Sequence, residues 1–424
     1  MDNLRIYTAT YNVGTETPFG VSLLDLLSLE EDGENEKLPD LYILSFQEVN
    51  AQPQNLLINT LIDDPWTQAI KDHLRDRDYV NIKSIRLQGL LLVVFALRRH
   101  ILNIKDVESN YTRTGFSGKW GNKGAVSVRL NIYGCSFCFV NSHLTAHDEN
   151  CKSRIQDYNK IIEDQKFHVA GTKTILSHDY VFWMGDLNFR LLMEYEHSPE
   201  EIEREVEKKE LKKLLENDQL KFVMDDGTAF HELTEKQPDF PPTFKYEVGT
   251  SNYDHKRRPA WCDRILHRVN AKNYENVTLS VDQLSYRSHP MYTLSDHKPV
   301  SAEFLIKVFS DYNESMISFD HVATWDGDSD NKVTYSISKD FDVEAKDWIA
   351  VFKDGFTGLD EYVTYEYMRK CSNPIEEIDG AWKYEATFSN PSKCDSYRLV
   401  YFSHNKYDVT RVMAISNVFS IVKN

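Results

Sequence analysis

From the amino terminus to about residue 308, apolar residues recur with a period of two in short runs, and the segments between them have a longer period or are rich in turn residues. The runs IYTATYNVG, DLYILSFQEVN, GLLLVVFALRR, GAVSVRLNIYG, CSFCFVNSHL, DYVFWMGDLN and HKPVSAEFLIKV are dense in β-branched and aromatic side chains, and each predicts a strand. The clearest helix signal between them is Ser198-Pro199-Glu200-Glu201. Serine at the N-cap, proline at the first helical position and glutamate at the third make a capping box, and the pattern predicts a helix running to about Leu215. Its segment EIEREVEKKELKK is a solvated face supported by i, i+4 pairs and is assigned no function. From about Asp311 the texture changes. ISFDHVATW, KVTYSIS, DWIAVFK, EYVTYEYM, YEATFS, YRLVYFS and VMAISNVFSIV are short strand patterns with few helical periods, which predict a β-sandwich. The chain therefore divides into an α/β domain over 1–308 and an all-β, immunoglobulin-like sandwich over 311–424. No Cys…Trp…Cys arrangement marks the second as a disulfide-bonded immunoglobulin domain.

Composition narrows the classes. A length of 424 residues suits two cores, and 41% hydrophobic with 12% aromatic content is enough to fill both. The net charge of −17 repels a polyanion, so a general affinity for nucleic acid is excluded and any anionic ligand must be met by a local basic patch. The opening MDNLRIYTATYN has neither the basic nor the apolar region of a signal peptide, and the longest apolar run, Leu90 to Leu97, is less than half a membrane span. No lipidation motif stands at either end, so a soluble, cytosolic chain with at most peripheral membrane contact is expected. The six cysteines are sparse and unpatterned. Cys135 and Cys138, three apart in a strand, are expected to face opposite ways as reduced thiols.

Polar residues gather where the predicted strands end. In VFWMGDLNFR, alternation places Asp186, Asn188 and Arg190 on one side and Leu187 and Phe189 on the other. IYTATY runs into Asn12, LYILSF into Gln47 and Glu48, and FCFV into Asn141, His143 and His147. Asp296 and His297 precede a strand, and Asp263 and Arg264 sit among apolar neighbours. A single such end is a turn or a cap. Repeated ends that supply Asp, Glu, Asn or His read as one rim of a packed sheet where chemistry is done. Oxygen atoms of Glu48, Asp186 and Asp296 with the amide of Asn12 suit a hard cation, and Mg²⁺ is the economical choice. His143-Leu-Thr-Ala-His147 has the histidine spacing of a zinc-binding helix, but Leu144 replaces the required glutamate and the segment reads as a strand, which argues against zinc. His147 is equally readable as an inert, hydrogen-bonded histidine.

These residues fall in motifs that resemble the inositol polyphosphate 5-phosphatases of the endonuclease/exonuclease/phosphatase fold: FQEV (46–49), GNKGAV (121–126), NSHLTAH (141–147), FWMGDLNFR (182–190), PPTFKY (241–246), RPAWCDRIL (258–266) and SDHKPV (295–300). The segments DWIAVFK, YVTYEYM and YRLVYFS resemble the SKICH domain that follows the catalytic domain in some members. The resemblance implies a four-layered α-β-β-α, DNase-like sandwich and Mg²⁺-dependent hydrolysis of the 5-phosphate of inositol lipids. Carried over by motif, Glu48 binds the metal with Asn12 and Asp296 nearby. Asp186 orients and deprotonates the attacking water, Asn188 fixes it, and His297, held by Asp263, contacts the scissile phosphate with His143.

The stretch TFKY followed by His255-Lys256-Arg257-Arg258 chooses among substrates. The run could be a solvated stretch or a nuclear-localisation signal, but its place before the Asp263 motif favours a pocket for a second phosphate. The resemblance puts Lys245 and Arg257 on the inositol 4-phosphate, with Lys256 or Arg258 as substitutes where His255 replaces a common lysine, and Phe244 where many members have tyrosine. Asn122 and Lys123 match contacts to the 1-phosphate side, and Arg190 is grouped with the substrate residues. The expected substrates are phosphatidylinositol 4,5-bisphosphate and 3,4,5-trisphosphate, with soluble inositol polyphosphates as further candidates. A Mg²⁺-dependent nuclease of the same fold and an inactive scaffold whose β-domain recruits a protein partner are the alternatives. Residence in the cytoplasm, peripherally at the endoplasmic reticulum or plasma membrane, is the matching expectation.

Overall fold

The computed structural model describes residues 1–29, 38–50, 64–115, 123–312, 314–368, 374–378, 380–389 and 394–422. The first domain supplies eleven strands: β1 Asp2–Asn12, β2 Leu41–Gln47, β3 Tyr79–Leu87, β4 Leu90–Leu97, β5 Ile104–Arg113, β6 Gly124–Ile132, β7 Cys135–His143, β8 Tyr180–Asp186, β9 Asp263–Val269, β10 Val281–Ser288 and β11 Val300–Val308. They form two sheets packed face to face. One has the order β10-β11-β1-β2-β4-β3, and the other runs β5-β6-β7-β8-β9. Ile6, Ile43, Val94, Val128, Phe139, Phe182 and Phe304 fill the space between them and are fully buried. Burial of each such side chain contributes roughly 1.5–3 kcal/mol.

The outer faces are covered by helices, which completes the α-β-β-α layering. Helix Pro65–Leu74 brings Trp66 and Ile70 onto Tyr11 and Phe46. Helices Cys151–Asp164 and Gln219–Asp225 bring Tyr158, Ile161 and Leu220 onto Val140 and Trp183. Strand β7 shows the period of two directly: Cys135 belongs to the inter-sheet core and Cys138 to the outer one, both as free thiols.

All seven strand patterns of this region are strands, and four further strands lack a clean pattern. Strands β3 and β10 are sheet edges and β5 pairs with the strand Thr410–Ile415 at the domain junction, and charged residues such as Lys83, Glu108 and Arg287 interrupt their alternation. Strand β9 opens on the buried Asp263. The capping box at Ser198 forms as expected, with Ser198 Oγ accepting from Glu201 N and Glu201 Oε2 accepting from Ser198 N. The helix is shorter than predicted, ending at Glu207, and Leu211–Leu215 forms a separate one. The apolar stripe Ile202, Val206 has no apolar residue one turn on. A left-handed turn at Lys209, φ 61°, lets Leu214 and Leu215 reach the core.

The second domain adds β12 Ile317–Phe319, β13 Trp325–Asp326, β14 Asn331–Ser338, β15 Trp348–Lys353, β16 Tyr362–Tyr367, β17 Glu376–Ile378, β18 Ala381–Phe388, β19 Ser396–His404, β20 Thr410–Ile415 and β21 Phe419–Val422. One sheet is β12-β14-β18-β17, and the other holds β13-β21-β19-β20 with β15 and β16 beside β19. Val333, Tyr335, Ile349, Val351, Leu399 and Tyr401 close the core between them. ISFDHVATW and VMAISNVFSIV each split into two strands instead of one. The Asn417 amide accepts from Val322 N (2.9 Å) and donates to Val322 O (3.0 Å), so one side chain satisfies the backbone at both breaks. The two domains meet where β20 pairs with β5 at Thr410 and Val107.

As with His267, whose ring burial pushes down to about 4, acid weakens this fold through buried His178. Burial, and then the Arg129 charge, push its ring down to about 4, so it is neutral when folded and takes a proton at about 6.5 when unfolded. The unfolded chain therefore binds more protons in this window, and stability falls as pH drops from 6.5 towards 4. The loss from this group reaches about 2 to 3 kcal/mol by pH 4.5. His178→Gln is expected to flatten the fall in urea midpoint between pH 6.5 and 4.5 relative to the parent; parallel curves would show that His178 does not set it.

Candidate active site

Strand register builds the site. Strand β8 runs parallel to β7 with Asp186 opposite His143, and antiparallel to β9 with Asp186 opposite Asp263; β6 places Gly124 opposite His143. In the facing sheet Asn12 lies opposite Gln47. The two sheets are locked at this end by Gln47 Nε2, which donates to Asn141 Oδ1 (2.7 Å), while Asn141 Nδ2 donates to the carbonyls of Phe46 and Leu91. Glu48 follows directly, held at φ 56°. Two glycines make the close approach possible. A Cβ on Gly185 would stand 2.0 Å from Ser142 O, and one on Gly124 would stand 2.1 Å from Thr112 O.

Asp186 is the centre. It is buried and receives Asn12 Nδ2 at 2.9 Å on Oδ2 and the backbone N of Asn188 at 3.1 Å on Oδ1. His143 Nε2 lies 3.1 Å away and His297 Nε2 lies 3.8 Å away. Burial by itself raises its carboxyl, but the charges of His143 and His297 outweigh it and hold the group well below the usual carboxylate range. Behind it, Asp263 Oδ2 meets His297 Nδ1 at 2.9 Å and accepts from Thr243 Oγ1 at 2.7 Å. Burial disfavours charge on His297, but Asp263 and Asp186 on either side raise it to about 9. Burial and Lys123 push His143 the other way, below the usual imidazole value. The two imidazoles are thus shifted in opposite directions. His297 is a donor, and His143 touches the Lys123 side chain.

A cleft of about 220 Å³ opens over these groups, lined by Glu48, Lys123, His143, His147, Asp148, Asp186, Asn188, Arg190, Phe244, Lys245, Arg257, Asp296 and His297. Lys245 Nζ is 3.1 Å from Asp296 Oδ2. The Phe244 ring lies between the Arg190 guanidinium (4.3 Å to the centroid) and the His297 ring (4.5 Å). The Arg190 guanidinium thus rests over an aromatic face.

Several expected site residues are engaged by protein partners or lie outside the cleft. Asn12 stands behind Asp186, its Oδ1 taken by Gly14 N (3.1 Å), so it holds Asp186 instead of offering oxygen to the cleft. The Asn188 amide donates to Leu144 O (3.0 Å) and accepts from Arg190 Nη2 (2.6 Å), which fixes Arg190. Arg258 does not line the cleft: it donates to the carbonyls of Leu192 and Tyr195, with Asp148 of the cleft wall 4.0 Å from its Nη1. Lys256 is exposed outside the cleft. His255 pairs with Glu203 at 2.7 Å on the acidic helix face. Asn122 lies outside the described residues. Thr243 and Asp148 belong to the site but carry no separate signal; the PPTFKY motif is where the first could have been found.

The donors fit a hard divalent cation. Glu48 makes no hydrogen bond through its carboxylate among the described residues, and with Asp186 and Asp296 it offers only oxygen to the cleft. Asp186, Asp263 and His297 also bring ligand atoms within 4.8 Å of one another. A cation there would need an imidazole lone pair that His297, doubly flanked by carboxylates, has given to a proton. The oxygen-lined side at Glu48 is the better seat.

Residues 9–303 match Endonuclease/Exonuclease/phosphatase family 2, and residues 317–421 match the SKICH domain. The chain belongs to the inositol polyphosphate 5-phosphatases of that family. Mouse inositol polyphosphate 5-phosphatase K is 32% identical over 431 residues, covering 99% of this chain and 90% of that protein. Human phosphatidylinositol 4,5-bisphosphate 5-phosphatase A is 36% identical over 414 residues, 95% of this chain, and the chain spans 40% of its length. The crystal structure of the inositol polyphosphate 5-phosphatase domain of SPsynaptojanin, in complex with inositol (1,4)-bisphosphate and calcium ion, is 32% identical with a TM-score of 0.60, covering 72% of this chain and 86% of that one.

Proposed function

We propose that this chain hydrolyses the 5-phosphate monoester of inositol lipids that also carry a 4-phosphate, phosphatidylinositol 4,5-bisphosphate and 3,4,5-trisphosphate, with Mg²⁺ as cofactor. The carrying observation is that a chain of net charge −17 gathers Lys123, Arg190, Lys245 and Arg257 around the Asp186–His297–Asp263 cluster. Relatives named for 5-phosphatase activity, and one solved with an inositol bisphosphate and calcium, support the reading.

Glu48 would hold the cation, with Asp296 and Asp186 beside it; when bound it neutralises charge on the phosphoryl oxygens as a Lewis acid. Asp186 accepts a hydrogen bond from the attacking water and aims it at phosphorus. A carboxylate held this low is a weak base, which suits a loose transition state in which the water's proton leaves late. His297 keeps its proton on Nε2 for a phosphoryl oxygen, and Asp263 with Thr243 fixes the ring. Water adds to phosphorus as the P–O5 bond breaks; of its two protons one ends on O5 and the other stays with phosphate, so the products are the 5-hydroxyl lipid and inorganic phosphate.

Lys245 and Arg257 grip the neighbouring phosphate. Lys245→Ala with Arg257→Ala is expected to raise KM for short-chain phosphatidylinositol 4,5-bisphosphate about 10- to 100-fold and to change kcat less than about threefold. An unchanged KM would remove the 4-phosphate from the reading. A lipid headgroup substrate places the enzyme at a membrane surface, in the cytoplasm at the endoplasmic reticulum or plasma membrane, with the SKICH domain offering a surface to a protein partner. No helix among the described residues is long and apolar enough to cross a membrane.

A further inference from the structure

The seam between the two domains encloses a cavity of about 310 Å³, larger than the cleft over Asp186 and separate from it. One wall comes from β3 and β5 and the other from β15, β16, β19 and β20. The seam is a built interface. Lys105 Nζ donates to Val412 O (2.6 Å), Asn81 exchanges backbone hydrogen bonds with Thr357 (2.7 Å) and Leu359 (3.1 Å), and Arg98 Nη2 donates to Phe356 O (2.6 Å). Phe352, Phe402 and Val412 of the second domain belong to the same buried core as Ile101, Ile104 and Val107 of the first. The cavity is therefore framed by contacts between the two domains.

Its lining is chemically divided. Trp348 stacks on Phe402 (4.5 Å, 13°) and meets the Tyr362 ring edge-on at 5.2 Å, making an aromatic wall opposite Ile82, Ile104 and Val107. Lys83 enters this wall from β3, and its ammonium makes no hydrogen bond or ion pair among the described residues. Burial lowers its pKa, and the carboxylates of Asp408 and Asp360 only partly offset that. Asp360 is exposed at the mouth, where water screens it, and Asp408 is already shared by His404 and Lys346. The other basic group of the lining, His404, is held by Thr410 and Asp408. Lys83 is thus a half-buried cation in the same lining as the aromatic wall, and its three donors are unused among the described residues. Asn81, Ser84, Asp360, His404 and Thr410 share the lining with Lys83, and a pocket of this size at a domain junction, with an aromatic wall and a few polar groups, is the usual form of a small-molecule site.

We propose that the seam cavity binds a small apolar carboxylate, its aromatic or aliphatic body against Trp348, Phe402 and Tyr362 and its carboxylate on Lys83. Because both domains line it, the ligand stabilises their docking. The site is independent of the 5-phosphatase reading, and its occupancy is measured without turnover.

The test is calorimetric titration of the full chain with 4-phenylbutyrate and with its uncharged counterpart 4-phenylbutanol, repeated on Lys83→Met. For a probe of about a dozen non-hydrogen atoms the expected Kd is on the order of 0.1 mM. The alcohol is expected to bind the parent about tenfold more weakly, and Lys83→Met to bind acid and alcohol alike. The carboxylate is also expected to raise the thermal midpoint and to quench tryptophan fluorescence, the latter lost in Trp348→Leu. Val107→Trp, which fills the slot, keeps the test open should Lys83→Met fold poorly, and is expected to abolish binding. Equal binding of acid and alcohol by the parent, carboxylate binding unchanged in either Lys83→Met or Val107→Trp, or no heat at millimolar ligand would each overturn the proposal.

Discussion

Asp186→Asn is expected to lower kcat for short-chain phosphatidylinositol 4,5-bisphosphate by about 10³-fold, with the far-UV spectrum unchanged. The substitution conserves shape but removes the charge against which His143 and His297 are set at 3.1 and 3.8 Å. It also forces an amide to face the Asn12 Nδ2 and Asn188 N donors, so one face of the group must turn away from the water it aims. Steady-state phosphate release at saturating substrate checks it. A variant within about tenfold of the parent would show that Asp186 does not direct the attack.

Gly185→Ala is expected to cost about 4 kcal/mol or more of stability, and with it the activity. Gly185 sits at φ 143° in β8, and a Cβ there would overlap Ser142 O and approach Ser142 N at 2.8 Å. Both are backbone atoms of the parallel β7 partner, so relief requires the two strands to separate at the residue preceding Asp186. Urea unfolding measures the loss; a change under about 1 kcal/mol would mean that β7 and β8 tolerate a wider separation. The same overlap at Gly124, on the other side of His143, explains why glycines border the acid and basic groups here.

Much of this architecture is legible in the sequence because one physical rule governs it: strands that end together expose their last polar residues together. Asn12, His143, Asp186 and His297 emerge that way, as does the α-β-β-α layering, since seven of its strands carry alternating or continuous apolar runs and both faces of β7 are apolar. Other features depend on partners distant in the chain. Nothing local distinguishes Arg258, which is spent on the Leu192 and Tyr195 carbonyls, from Arg257, which reaches the cleft. Asn12 and Asn188 have the residue type of a metal or water ligand, yet their amides are consumed in holding Asp186 and Arg190. Thr243 carries no pattern at all until Asp263 and His297 meet beside it. The break at Lys209 is a matter of spacing that a capping box outweighs when read alone, and edge strands such as β10 hide because solvent-facing charges erase their period.

The central claim is that one oxygen-lined cation seat and the Asp186–His297–Asp263 cluster cleave a monoester flanked by a second phosphate. Inorganic phosphate release from short-chain phosphatidylinositol 4,5-bisphosphate and from phosphatidylinositol 4-phosphate, each with Mg²⁺ and with EDTA, tests it most directly. The account predicts release from the bisphosphate alone, stopping at one phosphate per lipid and falling to background in EDTA. Equal release from the 4-phosphate, or turnover that persists in EDTA, would contradict it.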